Sequence, residues 1–176
     1  MRAKLRAGEV KTIDDFVTLN LDIRQFIQDV IESADASLLL AFFGLLKKLS
    51  VLDPTCGSGA FLFAALEILE PIYTACIQRF RAILADWQST GEKHPNQEPQ
   101  IRTILEHAAA HPNEGYYIHK TIIVHNLYGV DIMEEAVEIC KLRLFLKLAA
   151  QLEPGQQVEP LPDIDFNIRA GNTLIG

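Results

Sequence analysis

The stretch VLDPTCGSGAFL, residues 51–62, decides how this chain is read. A short apolar run from Ser50 to Asp53 is broken by Pro54 and followed by a turn holding Gly57 and Gly59. From Ala60 to Leu69 the sequence is apolar and free of breakers, so the order predicts a strand, a glycine turn and a buried helix. Glycines in such a turn let a ligand approach the backbone, and the helix start aims unpaired amides at it. An anionic group suits those amides. No Lys followed by Ser or Thr comes after the glycines, so the turn is not a P-loop. Leu62 stands where a dinucleotide fingerprint requires its third glycine. Asp53 beside the turn would repel a pyrophosphate and suits an ammonium. The ligand expected here carries both a carboxylate and a cationic amine.

Two further strand ends extend the argument, because ligands of open α/β sheets bind beyond the carboxyl ends of the strands. Leu127 to Asp131 reads as a buried strand closing on G-V-D-I, and Asp165 to Arg169 as a third strand followed by G-N-T-L. Asp131 is placed to take both hydroxyls of a ribose, with Ile132 as an apolar wall for a base. The side-chain oxygen of Asn172 is placed to accept from an exocyclic amine such as adenine N6. Blander roles stay open: Asp131 can cap the following helix, and Asn172 can be an ordinary turn residue after Gly171. Taken together the three ends describe an amino acid joined to adenosine, which is S-adenosyl-L-methionine.

Around this unit the pattern is mostly helical. Thr12 and Asp15 form a capping-box-like start, and Phe16, Leu19, Ile23, Phe26 and Val30 recur at helical spacing to about Glu32. Leu38 to Leu49 is a second helix, with Lys47 and Lys48 in its last turn. Pro71 is expected to kink or restart the helix that begins at Ala60, since the apolar stripe continues through Tyr73, Ile77, Phe80 and Leu84 to about Trp87. Residues 88–115 turn polar and read as a mobile insertion with a short helix over 100–110. Tyr116 to His125 leans to helix, Met133 to Gln151 is a strong helix, and a Pro-rich loop covers Glu153 to Pro162. Strands separated by helices predict a parallel sheet. The organisation is an N-terminal helical segment, 1–49, followed by an α/β domain, 50–176.

Composition bounds the function. At 176 residues one core is the default, and 49% hydrophobic with 22% charged residues is ordinary for a folded domain. A net charge of -7 excludes a basic sleeve for phosphate backbones. No stretch approaches the roughly 18 uninterrupted apolar residues of a membrane span, and residues 1–15 lack the apolar run of a signal peptide, so a cytoplasmic protein is expected. Cys56, Cys76 and Cys140 are an odd set without a CxxC pair, which predicts reduced, packed thiols. The five histidines form no evident metal set. Lys141, Arg143 and Lys147 read as a solvated helix face.

The segments VLDPTCGSGAFL, NLYGVDIMEEAVEICKLRLFL and NIRAGNTLIG together resemble the adenine-specific N6 DNA methyltransferases of type II and related, nuclease-fused restriction-modification systems. The resemblance covers most of residues 49–176 and implies a partial Rossmann-like S-adenosylmethionine-dependent methyltransferase sheet with extra N-terminal helices. It implies that Asp53, Thr55, Cys56, Gly57, Gly59 and Phe61 form the methionine side of the pocket. Asp131 would hold the ribose, and Ile132 and Asn172 the adenine. Relatives transfer methyl groups to an amine with an N-P-P-aromatic motif, and no Asn-Pro dipeptide occurs in this chain. The expectation is therefore an inactive, cofactor-binding fragment without a metal, whose parent reaches DNA through segments absent here. An exposed sheet edge would invite self-association of the fragment. Two other readings are a methyltransferase for RNA, protein or a small molecule, and a noncatalytic nucleoside-binding module.

Overall fold

A computed structural model describes residues 2–12, 14–15, 22–156 and 162–174. After a short helix α1 (Arg2–Arg6), helix α2 (Ile23–Ser33) begins where the Asp22 carboxylate accepts from the amides of Arg24 and Gln25. Asp22 itself is extended, so α2 starts there instead of running on from Thr12 as the spacing predicted. Asp15 does make half of the expected capping box, accepting from the amide of Thr12 at 2.7 Å. Residues 16–21 of the expected helix lie outside the described residues.

Helix α3 (Ala36–Lys48) is capped by Asp35 and leads into strand β1 (Val51–Asp53). The glycine turn then opens helix α4 (Ala60–Thr90), which runs on through Pro71 without the restart that the sequence allowed there. Proline removes one helical donor, which leaves the Glu67 carbonyl without an amide partner. Pro71 and Glu67 are both exposed, so that carbonyl can be hydrated. By length and composition alone α4 is long and apolar enough to cross a membrane, although its apolar run is not uninterrupted. Its buried face, with Leu62, Leu66, Tyr73, Cys76, Ile77 and Phe80, forms the centre of the protein core. Phe43 of α3 meets the rings of Tyr73 and Phe80 edge-on.

Helix α5 (Glu98–Ala109) crosses residues 88–115 and buries Ile101 and Ala108. Helix α6 (Glu114–His125) is capped by Asn113, buries seven residues and leads into strand β2 (Leu127–Asp131), so 116–125 is helix as expected. Helix α7 (Glu134–Ala149) follows, then strand β3 (Ile168–Ala170), which starts three residues later than the apolar pattern suggested. The sheet order is β1-β2-β3, with β2 parallel to both neighbours. The class is α/β, a helical body on a small parallel sheet. One sheet face is buried through Leu127, Gly129 and Ile168, while Leu52, Tyr128, Val130 and Arg169 on the other are partly or fully exposed.

Candidate functional site

Parallel pairing brings the three carboxyl ends to one edge, and the backbone stitches them together. Val51 pairs with Leu127 and Asp53 with Gly129, so Asp53 and Asp131 emerge two residues apart in register on adjacent strands. The amide of Cys56 donates to the Val130 carbonyl at 2.9 Å, and that of Gly171 to the Asp131 carbonyl at 2.8 Å. The Thr173 hydroxyl donates to the Pro54 carbonyl at 3.2 Å, which carries the loop after β3 across to the glycine turn. The predicted residues thus share one rim.

Within the turn, Gly57 and Gly59 adopt left-handed φ values of 50° and 89°. Gly59 also has no room for a side chain, since a Cβ there would lie 2.7 Å from the Cys140 sulfur. Helix α4 begins directly after it with no side-chain cap, so the amides of its first turn have no side-chain acceptor. Phe61, on that first turn, is 79% exposed.

The two acids differ in what they hold. Asp53 is buried; one of its oxygens accepts from the Thr55 amide at 3.1 Å, and the other, Oδ2, is buried without a hydrogen-bond partner. Leaving a carboxylate oxygen unpaired away from water is costly, and a cationic donor is the group that would relieve it. Asp131 accepts from the Gly57 amide at 2.7 Å and from the Met133 amide at 2.9 Å. Those bonds, first from Met133 and then from Gly57, hold its carboxyl below the ordinary carboxylate range and keep it ionised. It therefore closes a turn ahead of the following helix, whose own start has no side-chain cap, and braces the glycine turn, and each oxygen retains acceptor capacity.

Ile132 is 75% exposed beside Asp131 and offers an apolar surface at the rim. Asn172 reaches the same rim, but its side-chain oxygen accepts from the Leu174 amide at 2.9 Å, the turn geometry that the sequence left open. Thr55 is exposed next to Asp53. The Cys56 thiol faces inward: it packs under the turn against Gly129, and burial pushes it up, followed by the charges of Asp131 and Asp53.

Three contributors were not singled out from the sequence. Gly129 sits in mid-strand because any Cβ would come within 3.0 Å of Cys56 and Leu62; a glycine inside a strand pattern was the available signal. Thr173 and Arg143 gave none. Arg143 donates to the Ser58 carbonyl at 2.7 Å and to its hydroxyl at 3.0 Å, while Lys141 bridges Glu138 and Asp165. The helix face read as merely solvated is thus tied to its surroundings.

Fold and site together define an α/β domain that presents acidic and amide groups at the carboxyl ends of parallel strands. The chain belongs to the MmeI DNA-methyltransferase domain family, whose model matches residues 28–164, including the glycine turn and Asp131. It is 34% identical over 144 residues to a putative type II restriction enzyme and methyltransferase of Methanocaldococcus jannaschii, covering 79% of this chain and 10% of that protein. It is 29% identical over 126 residues to a type II restriction enzyme and methyltransferase of Escherichia coli, covering 70% of this chain and 11% of that protein. The chain therefore spans about a tenth of the length of these curated relatives. No solved structure matches it.

Proposed function

We propose that this chain is the S-adenosyl-L-methionine-binding part of a cytoplasmic restriction-modification enzyme that methylates N6 of adenine in DNA. The observation that carries the reading is the buried Asp53 Oδ2, without a hydrogen-bond partner, at the head of the turn that leads into the uncapped start of α4. An acceptor at one end of a glycine turn and a set of amide donors at the other match the ammonium and carboxylate of an amino acid. When bound, S-adenosylmethionine supplies a methyl group made electrophilic by its sulfonium.

The residues of the chain divide the work. Asp53 takes the ammonium, and the first-turn amides of α4, reached across Gly57 and Gly59, take the carboxylate. Cys56 supports the turn from beneath, and Thr55 and Phe61 flank the methionine half. Asp131, kept ionised, uses its remaining acceptor capacity for the ribose hydroxyls. Ile132 lines the base, and Asn172 accepts from adenine N6 of the cofactor with the second lone pair of its side-chain oxygen. In this reading the sheet is the cofactor half of a Rossmann-like methyltransferase. The DNA, and the groups that position its flipped adenine, are held by other parts of a longer protein. Family membership and the names of the relatives support the methyltransferase class.

Titration calorimetry with S-adenosylhomocysteine tests this directly. Saturable binding is expected, and Asp53→Asn should weaken it about tenfold or more, because a hydrogen bond to a charged group is worth about 1.5–3 kcal/mol. A folded chain that takes up neither S-adenosylmethionine nor S-adenosylhomocysteine overturns the reading. Methyl transfer to adenine-containing DNA is not expected from these 176 residues alone.

A further inference from the structure

We propose that Arg143 is the positioning residue of the glycine turn, acting on cofactor binding through Ser58 without touching the cofactor. The inference rests on the reading of the turn as the cradle of the methionine half. Ser58 lies between the two glycines of left-handed φ, the least restrained place in the turn. Its carbonyl accepts from Arg143 Nη1 at 2.7 Å, and the same nitrogen lies 3.0 Å from its hydroxyl. The other end of that peptide unit is fixed as well, since the Gly59 amide donates to the Cys56 carbonyl at 2.7 Å. A trans peptide points its C=O and N–H in opposite directions, so the two bonds together set the orientation of the Ser58–Gly59 plane.

Arg143 is itself held. Its guanidinium lies over the Phe63 ring, 4.6 Å from the centroid, and a planar group stacked on an aromatic has little freedom to swing away. One turn earlier on α7, Cys140 sits beneath Gly59 at the distance that excludes a Cβ there. Residues 140 and 143 thus form one helix face that carries both supports of the turn. The N-terminal end of α7 is where Asp131 accepts from the Met133 amide. A single rigid helix therefore links the proposed ribose acid to the proposed methionine cradle.

The test separates the two halves of the ligand. S-adenosylhomocysteine contains the amino acid, and 5′-methylthioadenosine keeps the adenosyl thioether but lacks it. Arg143→Ala should weaken the first about five- to tenfold, as loss of charge-assisted hydrogen bonds would, and leave the second within about twofold. Arg143→Lys, which keeps the charge but not the planar fork, should fall between. Hydrogen exchange of the 57–59 amides in the free protein should accelerate in Arg143→Ala while that of α4 and β2 does not change. Equal weakening of both ligands, unchanged affinity for S-adenosylhomocysteine, or unaltered exchange in the turn would overturn the role of Arg143. Failure of the unmodified chain to bind either ligand would instead overturn the cofactor reading on which it rests.

Discussion

At the scale of single residues, the two turn glycines look alike in the sequence and differ in the folded chain. Both have left-handed φ, but a Cβ on Gly57 meets nothing within 4 Å, whereas one on Gly59 strikes the Cys140 sulfur. Gly57→Ala should therefore carry only the backbone penalty of about 1–2 kcal/mol. Gly59→Ala should cost about 2–4 kcal/mol, adding overpacking to strain. Urea unfolding of both variants checks this, and equal losses would mean that the contact with Cys140 yields freely. The placement of Asp53, the glycines and Asp131 at strand ends was legible from the sequence because it follows from local pattern. The bond between Asp131 and Gly57 was not, since it joins residues 74 apart and depends on register. Nor could the sequence say which Asp53 oxygen would be left alone. Cys56 was legible as a small buried thiol but not as the wedge that requires Gly129.

At the scale of elements, the parallel strands and the helices from α3 onward followed from periodicity and capping, with ends shifted by a few residues. The polar fastener that joins them was not visible in that pattern. Asn126 is fully buried between α6 and β2; its Nδ2 donates to the carbonyls of Leu46 and Leu49, and its Oδ1 accepts from the Tyr73 hydroxyl. Its own carbonyl accepts from the Val51 amide at 2.7 Å, which starts β1 in register. Asn167 does similar work for β3, donating to the carbonyls of Val124 and Leu127. Asn126→Ala removes three side-chain bonds and strands their buried partners, so a loss of about 3–5 kcal/mol is expected. Denaturant unfolding measures it, and a loss near 1 kcal/mol would show that water replaces the amide. A lone polar residue before a strand reads as a turn, which is why its interior position was not visible.

At the scale of the whole molecule, the two ends of the sheet are chemically opposite. The carboxyl ends carry Asp53 and Asp131, while α3, α5 and α6 end at the other side with Lys47, His107 and His125 around a cavity of about 380 Å3. The Lys47 ammonium there complements the C-terminus of α3. Desolvation first, and then Lys47, lowers the pKa of His125 below its ordinary 6.5. The folded chain thus binds fewer protons at this site than the unfolded one, so this contribution to stability is complete above pH 6.5 and declines as pH falls below it. Thermal melts should show a smaller decline between about pH 7 and 5 for His125→Gln, and an unchanged slope would remove His125 from the account.

The fastening of Leu46, Leu49 and Val51 by Asn126 also dictates an order of assembly. The strand that opens the ligand turn has its pairing partner far downstream, so a nascent chain emerging from the ribosome carries that strand unmatched until β2 is made. Closure across such sequence separations is slow, and partly made chains expose apolar surface meanwhile. Chains stopped before Asn126 should give no cooperative melt, and residues 1–49 should show no autonomous stability, because the last helix before the strand is completed by a residue 80 positions later.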